Sequence, residues 1–233
     1  MSTDPLDRIF LEPLMAHVMG ADALQPLSHR KAAQVMAAME AGRIYAKHLY
    51  NRPCFRSWID HLVHVARIAA GLGDGLFLEF GVASGTTINA VAPVVPAITG
   101  FDSFQGLPED WRDGVPKGAF AMGVPQVAPN VALRIGMIED TLPRFLAETP
   151  GEVRFLHIDT DLYGPAKFIL DQCAPRMQDT LIVFDEFFNY VGWQDHEYKA
   201  WMEFQAENRD RFDFDYVACT EEVAVSVRVT RRG

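Results

Sequence analysis

The chain has 233 residues, a formal net charge of -10, and is 49% hydrophobic and 22% charged. That balance suits one large folded domain, or a domain with an appendage, able to bury a core, and excludes a chain disordered as a whole. The acidic excess and the lack of a basic stripe argue against nucleic acid as a main partner, because phosphate binding draws on clustered Lys and Arg. The three cysteines, Cys54, Cys173 and Cys219, are far apart with no CxxC spacing, which suits a reducing compartment and no zinc site. No charged-then-apolar leader opens the sequence, and no apolar run approaches ~18 residues. The expectation is a cytoplasmic protein with no membrane segment.

Residues 5–19 place Leu6, Ile9, Phe10, Leu14 and Val18 at roughly helical spacing. Residues 29–49 continue as an Ala- and Met-rich helix pattern. After Pro53 a third helix pattern covers 55–72, through Trp58, Leu62, Val65, Ala66, Ile68 and Ala69, and the glycines of 71–75 stop it. Residues 1–72 therefore read as a helical cover or lid ahead of a domain at 73–233. From there the pattern alternates. Strand 76–80 is followed by a helix at 84–94, which Pro93 and Pro96 break, and then by strand 97–101, which ends on Asp102. Residues 105–128 hold Pro- and Gly-rich breaks without periodicity, and a long loop in a compact domain is usually functional or mobile. Strand 131–135, helix 139–148, strand 154–159, helix 164–176, strand 180–185 and helix 195–208 come after it. Residues 212–219 and 222–229 are two last strands, joined tightly enough for an antiparallel hairpin. Repeated β-then-α units ending in a hairpin predict an α/β fold: a doubly wound, Rossmann-like, seven-stranded and mostly parallel sheet, with ligands at the C-terminal strand ends.

The candidate chemistry sits at those strand ends. Glu79-Phe-Gly81-Val-Ala83-Ser84-Gly85 runs a buried strand into small residues that let a backbone approach a ligand, and a helix start then offers free N–H groups. A dinucleotide fold would show Gly-x-Gly-x-x-Gly without the acid; the acid at the loop entrance suits a cationic or amine-bearing ligand. Asp102, with Ser103 after it, is placed to accept both hydroxyls of a ribose, or more simply to cap the next stretch of chain. Met137 and Ile138, ahead of Glu139, could flank an adenine, while Asp140 or Thr141 caps the next helix. Asp159, Asp161, Asp185 and Glu186 close adjacent parallel strands about 5 Å apart. Carboxylates that close repel unless a cation binds or protons stay on. Oxygen ligation without Cys points to Mg²⁺ or another hard divalent ion, with capping and salt bridging as the plainer explanation. His196 and Glu197 open a helix near the same rim. His61 and His64, three apart, read as interface or surface residues.

With those stretches in hand the chain resembles the class I S-adenosylmethionine-dependent methyltransferases, and more narrowly the macrocin O-methyltransferase family. The residues that carry the likeness are Phe77–Thr87 (FLEFGVASGTT), Gly100–Trp111 (GFDSFQGLPEDW), Gly136–Pro143 (GMIEDTLP), Phe155–Tyr163 (FLHIDTDLY), Val183–Phe187 (VFDEF) and Trp193–Trp201 (WQDHEYKAW). The resemblance implies a seven-stranded sheet with a reversed last strand. It implies S-adenosylmethionine as cofactor, held at Gly81, Ala83, Ser84 and Gly85, with Glu79 at the floor near the ammonium, Asp102 and Ser103 at the ribose, and Met137, Ile138 and Glu139 beside the adenine. Asp159 would border both cofactor and metal. Metal-dependent relatives hold Mg²⁺ by acids that map onto Asp159, Asp185 and Glu186, although the last is Asp or Asn in those relatives. Those of the catechol type carry a Lys three residues after the strand-four Asp; Leu162 stands there, so the base must differ, and Asp161 or His196 is the candidate. The expected partner is a small-molecule hydroxyl acceptor of sugar or natural-product type, with homo-oligomerisation through the N-terminal helices. The rival readings are a nicotinamide-dependent oxidoreductase on the same sheet type and a non-catalytic, cofactor-binding assembly protein.

Overall fold

A computed structural model describes residues 28–233. The helix expected at 5–19 lies outside them. The first described element is α1 (His29–Ile44), whose N-cap Ser28 accepts from the Lys31 N–H, and it passes into a π-turn at Tyr45–Leu49. The two-residue strand β1 (Cys54–Phe55) comes after it, then α2 (Trp58–Gly71), capped by Ser57 accepting from the Asp60 N–H. Strands and helices alternate from there: β2 (Leu76–Phe80), α3 (Thr86–Val91), β3 (Ile98–Asp102), β4 (Val131–Ile135), α4 (Ile138–Glu148), β5 (Val153–Ile158), α5 (Tyr163–Cys173), β6 (Met177–Phe184) and α6 (Glu197–Asn208), with no helix between β3 and β4. The chain ends in β7 (Phe212–Thr220) and β8 (Val225–Arg231).

The strands form one sheet in the order β1-β7-β8-β6-β5-β2-β3-β4. β8 alone runs antiparallel to its neighbours β6 and β7; the other pairings are parallel. The expected seven strands and reversed last strand are all present, and β1 adds an eighth at the edge. The sequence pattern places the start of a helix at that strand. The Cys219 N–H donates to Pro53 O at 3.0 Å and the Glu221 N–H to Phe55 O at 2.9 Å, and this ladder outweighs the local helix pattern. The hairpin is also longer-turned than expected. Thr220 Oγ1 accepts from the Val223 and Ala224 N–H groups, which holds 221–224 as the turn and delays β8 to Val225.

Side-chain alternation along the strands builds two apolar layers. Leu78, Phe80, Leu156, Ile158, Ile182 and Phe184 face α4, α5 and α6. Phe77, Phe155, Leu181 and Val183 face α2 and α3. Burial on both faces is what the continuous apolar runs of these strands require. Leu62, Val65, Ala66 and Ala69 of α2 belong to the second layer, so residues 58–71 share the core of the sheet that comes after them. His61 is fully buried there, its Nε2 3.0 Å from Ser226 Oγ, with the imidazole pushed down to about 4 by burial. That corrects the surface or interface placement of His61, while His64 is half-buried against Phe55. Among the described residues no helix is long and apolar enough to cross a membrane.

Candidate active site

The chain leaves β2 at Phe80 and turns through Gly81 at φ 89°. A Cβ at Gly81 would stand 1.8 Å from the Asp159 carbonyl oxygen, so only glycine lets the two strand ends meet. Ala83 (φ 44°) and Gly85 (φ 77°) continue the turn into α3. Asp102 organises this loop from the neighbouring strand. Its Oδ2 accepts from the Val82 N–H at 2.9 Å and the Ala83 N–H at 2.8 Å, and its Oδ1 accepts from the Phe104 N–H at 2.7 Å. With three bonds made, the carboxylate keeps one acceptor position of its usual four.

A cavity opens at these strand ends. Gly81, Ala83, Asp102, Ser103, Met137 and Ile138 line it. So do Glu139, Asp159, Asp161 and Glu186, together with Leu107, Pro108 and Phe120 of the loop between β3 and β4. That loop folds on its own backbone: the Leu107 N–H donates to Ala119 O at 2.9 Å, and the Gly118 N–H donates to Leu107 O at 2.9 Å. Arg30 of α1 ion-pairs with Asp113 of the loop at 2.9 Å, and Glu40 of α1 accepts from Gln194.

Five sequence-predicted residues, Glu79, Ser84, Gly85, Asp185 and His196, stand apart from the cavity wall. Ser84 is exposed, its hydroxyl 2.8 Å from that of Thr86, and Gly85 packs on Pro125. Glu79 differs most from the expectation. It is fully buried on the α2/α3 face, where its Oε1 accepts from Thr87 Oγ1 at 2.8 Å and its Oε2 lies 3.0 Å from His157 Nδ1. Strand parity turns it beneath the loop, because it shares a face with Phe77 and with its register partner His157.

The acids at the ends of β5 and β6 crowd together. Oxygen or nitrogen atoms of His157, Asp159 and Asp185 lie within 4.8 Å of one another, as do those of Asp159, Asp161 and Glu186. The expected trio Asp159, Asp185 and Glu186 is thus divided between two groups that share Asp159. Consecutive residues at a strand end point to opposite sides, and Asp185 takes the side of His157, with 3.8 Å between its Oδ1 and Nε2. Asp161 sits at the centre of a γ-turn closed by the Leu162 N–H and Thr160 O at 2.6 Å, with φ 62°. That conformation is strained for a residue with a side chain.

Burial, then the neighbouring Asp185 charge, pushes the Asp161 carboxyl up to about 7 and the Glu186 carboxyl up to about 11. Burial and then Asp185 raise Asp159 as well. His157 is raised although burial alone would lower it, because Asp185 and Glu79 favour its charged form. Glu197, fully buried and pushed up to about 8 by burial and Asp161, accepts from the Thr160 N–H at 3.2 Å and the Glu186 N–H at 3.3 Å. It clamps the two strand ends together. Sequence reasoning places Glu197 near the rim without a partner and leaves His157 without a role. The signal for His157 is its position two residues before Asp159, matching Glu79 two before Gly81.

Among the described residues no Lys or Arg forms an ion pair with these acids. Arg112 favours the charged form of Asp161, and its guanidinium lies 4.0 Å from the Trp111 ring and 5.1 Å from the Tyr190 ring. Glu186 Oε2 is buried without a hydrogen-bond partner. The all-oxygen group Asp159, Asp161 and Glu186, with no Lys or Arg paired to it and one orphaned oxygen, fits a hard divalent cation. His196 does not join the acids. It is half-buried, stacks on Tyr190 at 6.2 Å and meets the edge of Trp111 at 6.4 Å, and burial lowers its pKa.

No family model and no curated protein matches the sequence. Solved structures do. CalS11, a calicheamicin methyltransferase, is 19% identical with a TM-score of 0.55 over 98% of this chain and 94% of its own. A putative O-methyltransferase from Klebsiella pneumoniae is 15% identical with a TM-score of 0.53, covering 94% of this chain and 97% of that one. The O-methyltransferase TomG from Streptomyces achromogenes, solved in complex with S-adenosylmethionine, is 14% identical with a TM-score of 0.52, covering 95% and 96%. Over nearly its whole length, the chain has the fold of these O-methyltransferases.

Proposed function

We propose that the protein transfers a methyl group from S-adenosylmethionine to a hydroxyl of a small molecule of sugar or natural-product type, with a divalent ion assisting. The observation that carries this reading is a single cavity lined by Gly81, Ala83 and Asp102 together with Asp159, Asp161 and Glu186. CalS11, described as a TDP-rhamnose 3'-O-methyltransferase, supports a sugar hydroxyl as acceptor.

Asp102 would accept from the ribose at its remaining acceptor position, and Met137 and Ile138 would border the adenine. Asp159 and Glu186 line the cavity and would hold Mg²⁺, with Asp185, on the His157 side of Asp159, as the third carboxylate. When bound, the cofactor supplies an electrophilic methyl and the ion lowers the pKa of a reacting hydroxyl. Asp161 would take the hydroxyl proton. It faces the cavity, and its pKa of about 7 makes it a usable base near neutrality. His196 is the less favoured base, since it lies outside the cavity wall. The loop between β3 and β4, tied to α1 through Arg30 and Asp113, would serve as the lid that excludes water.

Calorimetric titration of S-adenosylhomocysteine, first with Mg²⁺ and then with EDTA, tests the reading. Micromolar binding is expected in both conditions. Absence of binding in either would return the chain to the oxidoreductase or assembly readings.

A further inference from the structure

Two of the three cysteines that look unrelated in the sequence meet in the fold. Cys54 of β1 and Cys219 of β7 are register partners on adjacent parallel strands. The register is pinned on both sides of Cys54, by the bonds between Pro53 O and the Cys219 N–H and between Phe55 O and the Glu221 N–H. Partners on neighbouring strands stand about 4.8 Å apart and project to the same face. A disulfide accepts Cα separations of about 4.4–6.8 Å, and this strand spacing lies within that range. Cys54 is exposed and Cys219 buried. Cys173 is buried at the C-terminal end of α5.

We infer that Cys54 and Cys219 are a redox-active thiol pair, closed to a disulfide by small-molecule disulfides of the glutathione type. The exposed Cys54 thiolate attacks one sulfur of the oxidant. The oxidant's S–S bond breaks, a mixed disulfide forms on Cys54, and one glutathione thiol leaves. Cys219 then attacks the Cys54 sulfur and expels the second glutathione thiolate, which takes up the Cys219 proton. Two protein thiols are oxidised and one glutathione disulfide is reduced to two thiols. The order is set by the two environments. Burial, and then the hydrogen bond and charge of Cys54, push the Cys219 thiol up to about 12. Conversion of Cys54 to a neutral mixed disulfide removes that second contribution, while the register still holds its sulfur beside Cys219. β1 is only two residues long, so closure covalently fastens the segment between α1 and α2 to the sheet edge.

The test is treatment of the full-length protein with glutathione disulfide at mildly alkaline pH, followed by intact mass and thiol counting after unfolding. The expected result is a fall from three thiols to one, a mass lower by two hydrogens, and a peptide cross-link between 54 and 219. Cys173→Ala should likewise lose both of its remaining thiols, and Cys54→Ser should keep both of its own. A stable glutathione adduct on Cys54 with Cys219 still free would overturn the pair. So would an unchanged thiol count in both the natural protein and Cys173→Ala.

Discussion

Glu79 Oε2 and His157 Nδ1 lie 3.0 Å apart, side by side at register-partner positions of β2 and β5, with neither side chain exposed. The contact joins the strand that leads to the Gly81 turn to the strand that leads to Asp159. Its upkeep weighs on stability, since two groups this deep are costly to ionise unless each satisfies the other.

Glu79→Gln should therefore act on folding before function. It leaves a buried histidine facing Asp185 alone, and removal of one partner from such a pair costs about 3–5 kcal/mol. Urea unfolding checks this. Cofactor affinity of the folded fraction should change much less, because Glu79 lies beneath the cavity wall. Unchanged stability with lost binding would show that Glu79 contacts the cofactor after all.

Asp102→Asn should do the reverse. The amide cannot accept at every position the carboxylate uses, and Oδ2 alone receives two N–H groups from the Gly81–Gly85 turn. Charge-assisted bonds are worth about 1.5–3 kcal/mol. The dissociation constant for S-adenosylhomocysteine should rise roughly 10- to 100-fold, read by calorimetry.

Asp185→Asn separates metal from cofactor. Turnover should fall at least about 100-fold, while S-adenosylhomocysteine affinity stays within about threefold, a shift under 1 kcal/mol. Equal loss of both would remove the metal role. Melting curves recorded by scanning calorimetry along a Mg²⁺ titration should show a stabilising shift in the natural protein that this variant lacks.

The acid cluster also predicts an unusual pH dependence. Asp161 and Glu197 have pKa values near 7 and 8 in the folded state, raised from 3.8 and 4.5. A group raised in this way binds more protons folded than unfolded. Its stabilising contribution is complete below the unfolded value and is lost as pH climbs through the folded one. The metal-free protein should thus melt at a lower temperature at pH 8 than at pH 5. Saturating Mg²⁺ should flatten that slope. A metal-free protein more stable at pH 8 would contradict the raised carboxyls.

Gly81→Ala should fail sterically. The added Cβ meets the Asp159 carbonyl at 1.8 Å from a φ of 89°, and overpacking with such strain costs at least about 2 kcal/mol. The loss should appear in thermal melting, with cofactor binding reduced in whatever folds.

Most of the sheet is legible in the sequence because its central parallel strands β2, β5 and β6 are apolar runs buried on both faces, and β4 (131–135) and β2 (76–80) have the bounds their sequence pattern predicts. The acids are legible because strand ends are where such a fold gathers polar groups, and Asp102, Asp159, Asp161 and Glu186 do share one cavity. By itself, then, the sequence determined the order of elements, the small-residue turn and which carboxylates crowd together, since these arise from local periodicity and from the chain order of a doubly wound sheet. Only the tertiary structure decided which face each strand-end residue takes and which distant residue it meets. Strand pleat and register sent Glu79 under the loop to His157, parted Asp185 from Glu186, and set Cys54 beside Cys219. Those pairings depend on cross-strand alignment, which hydrogen-bond ladders between segments far apart in the chain impose and no local pattern encodes.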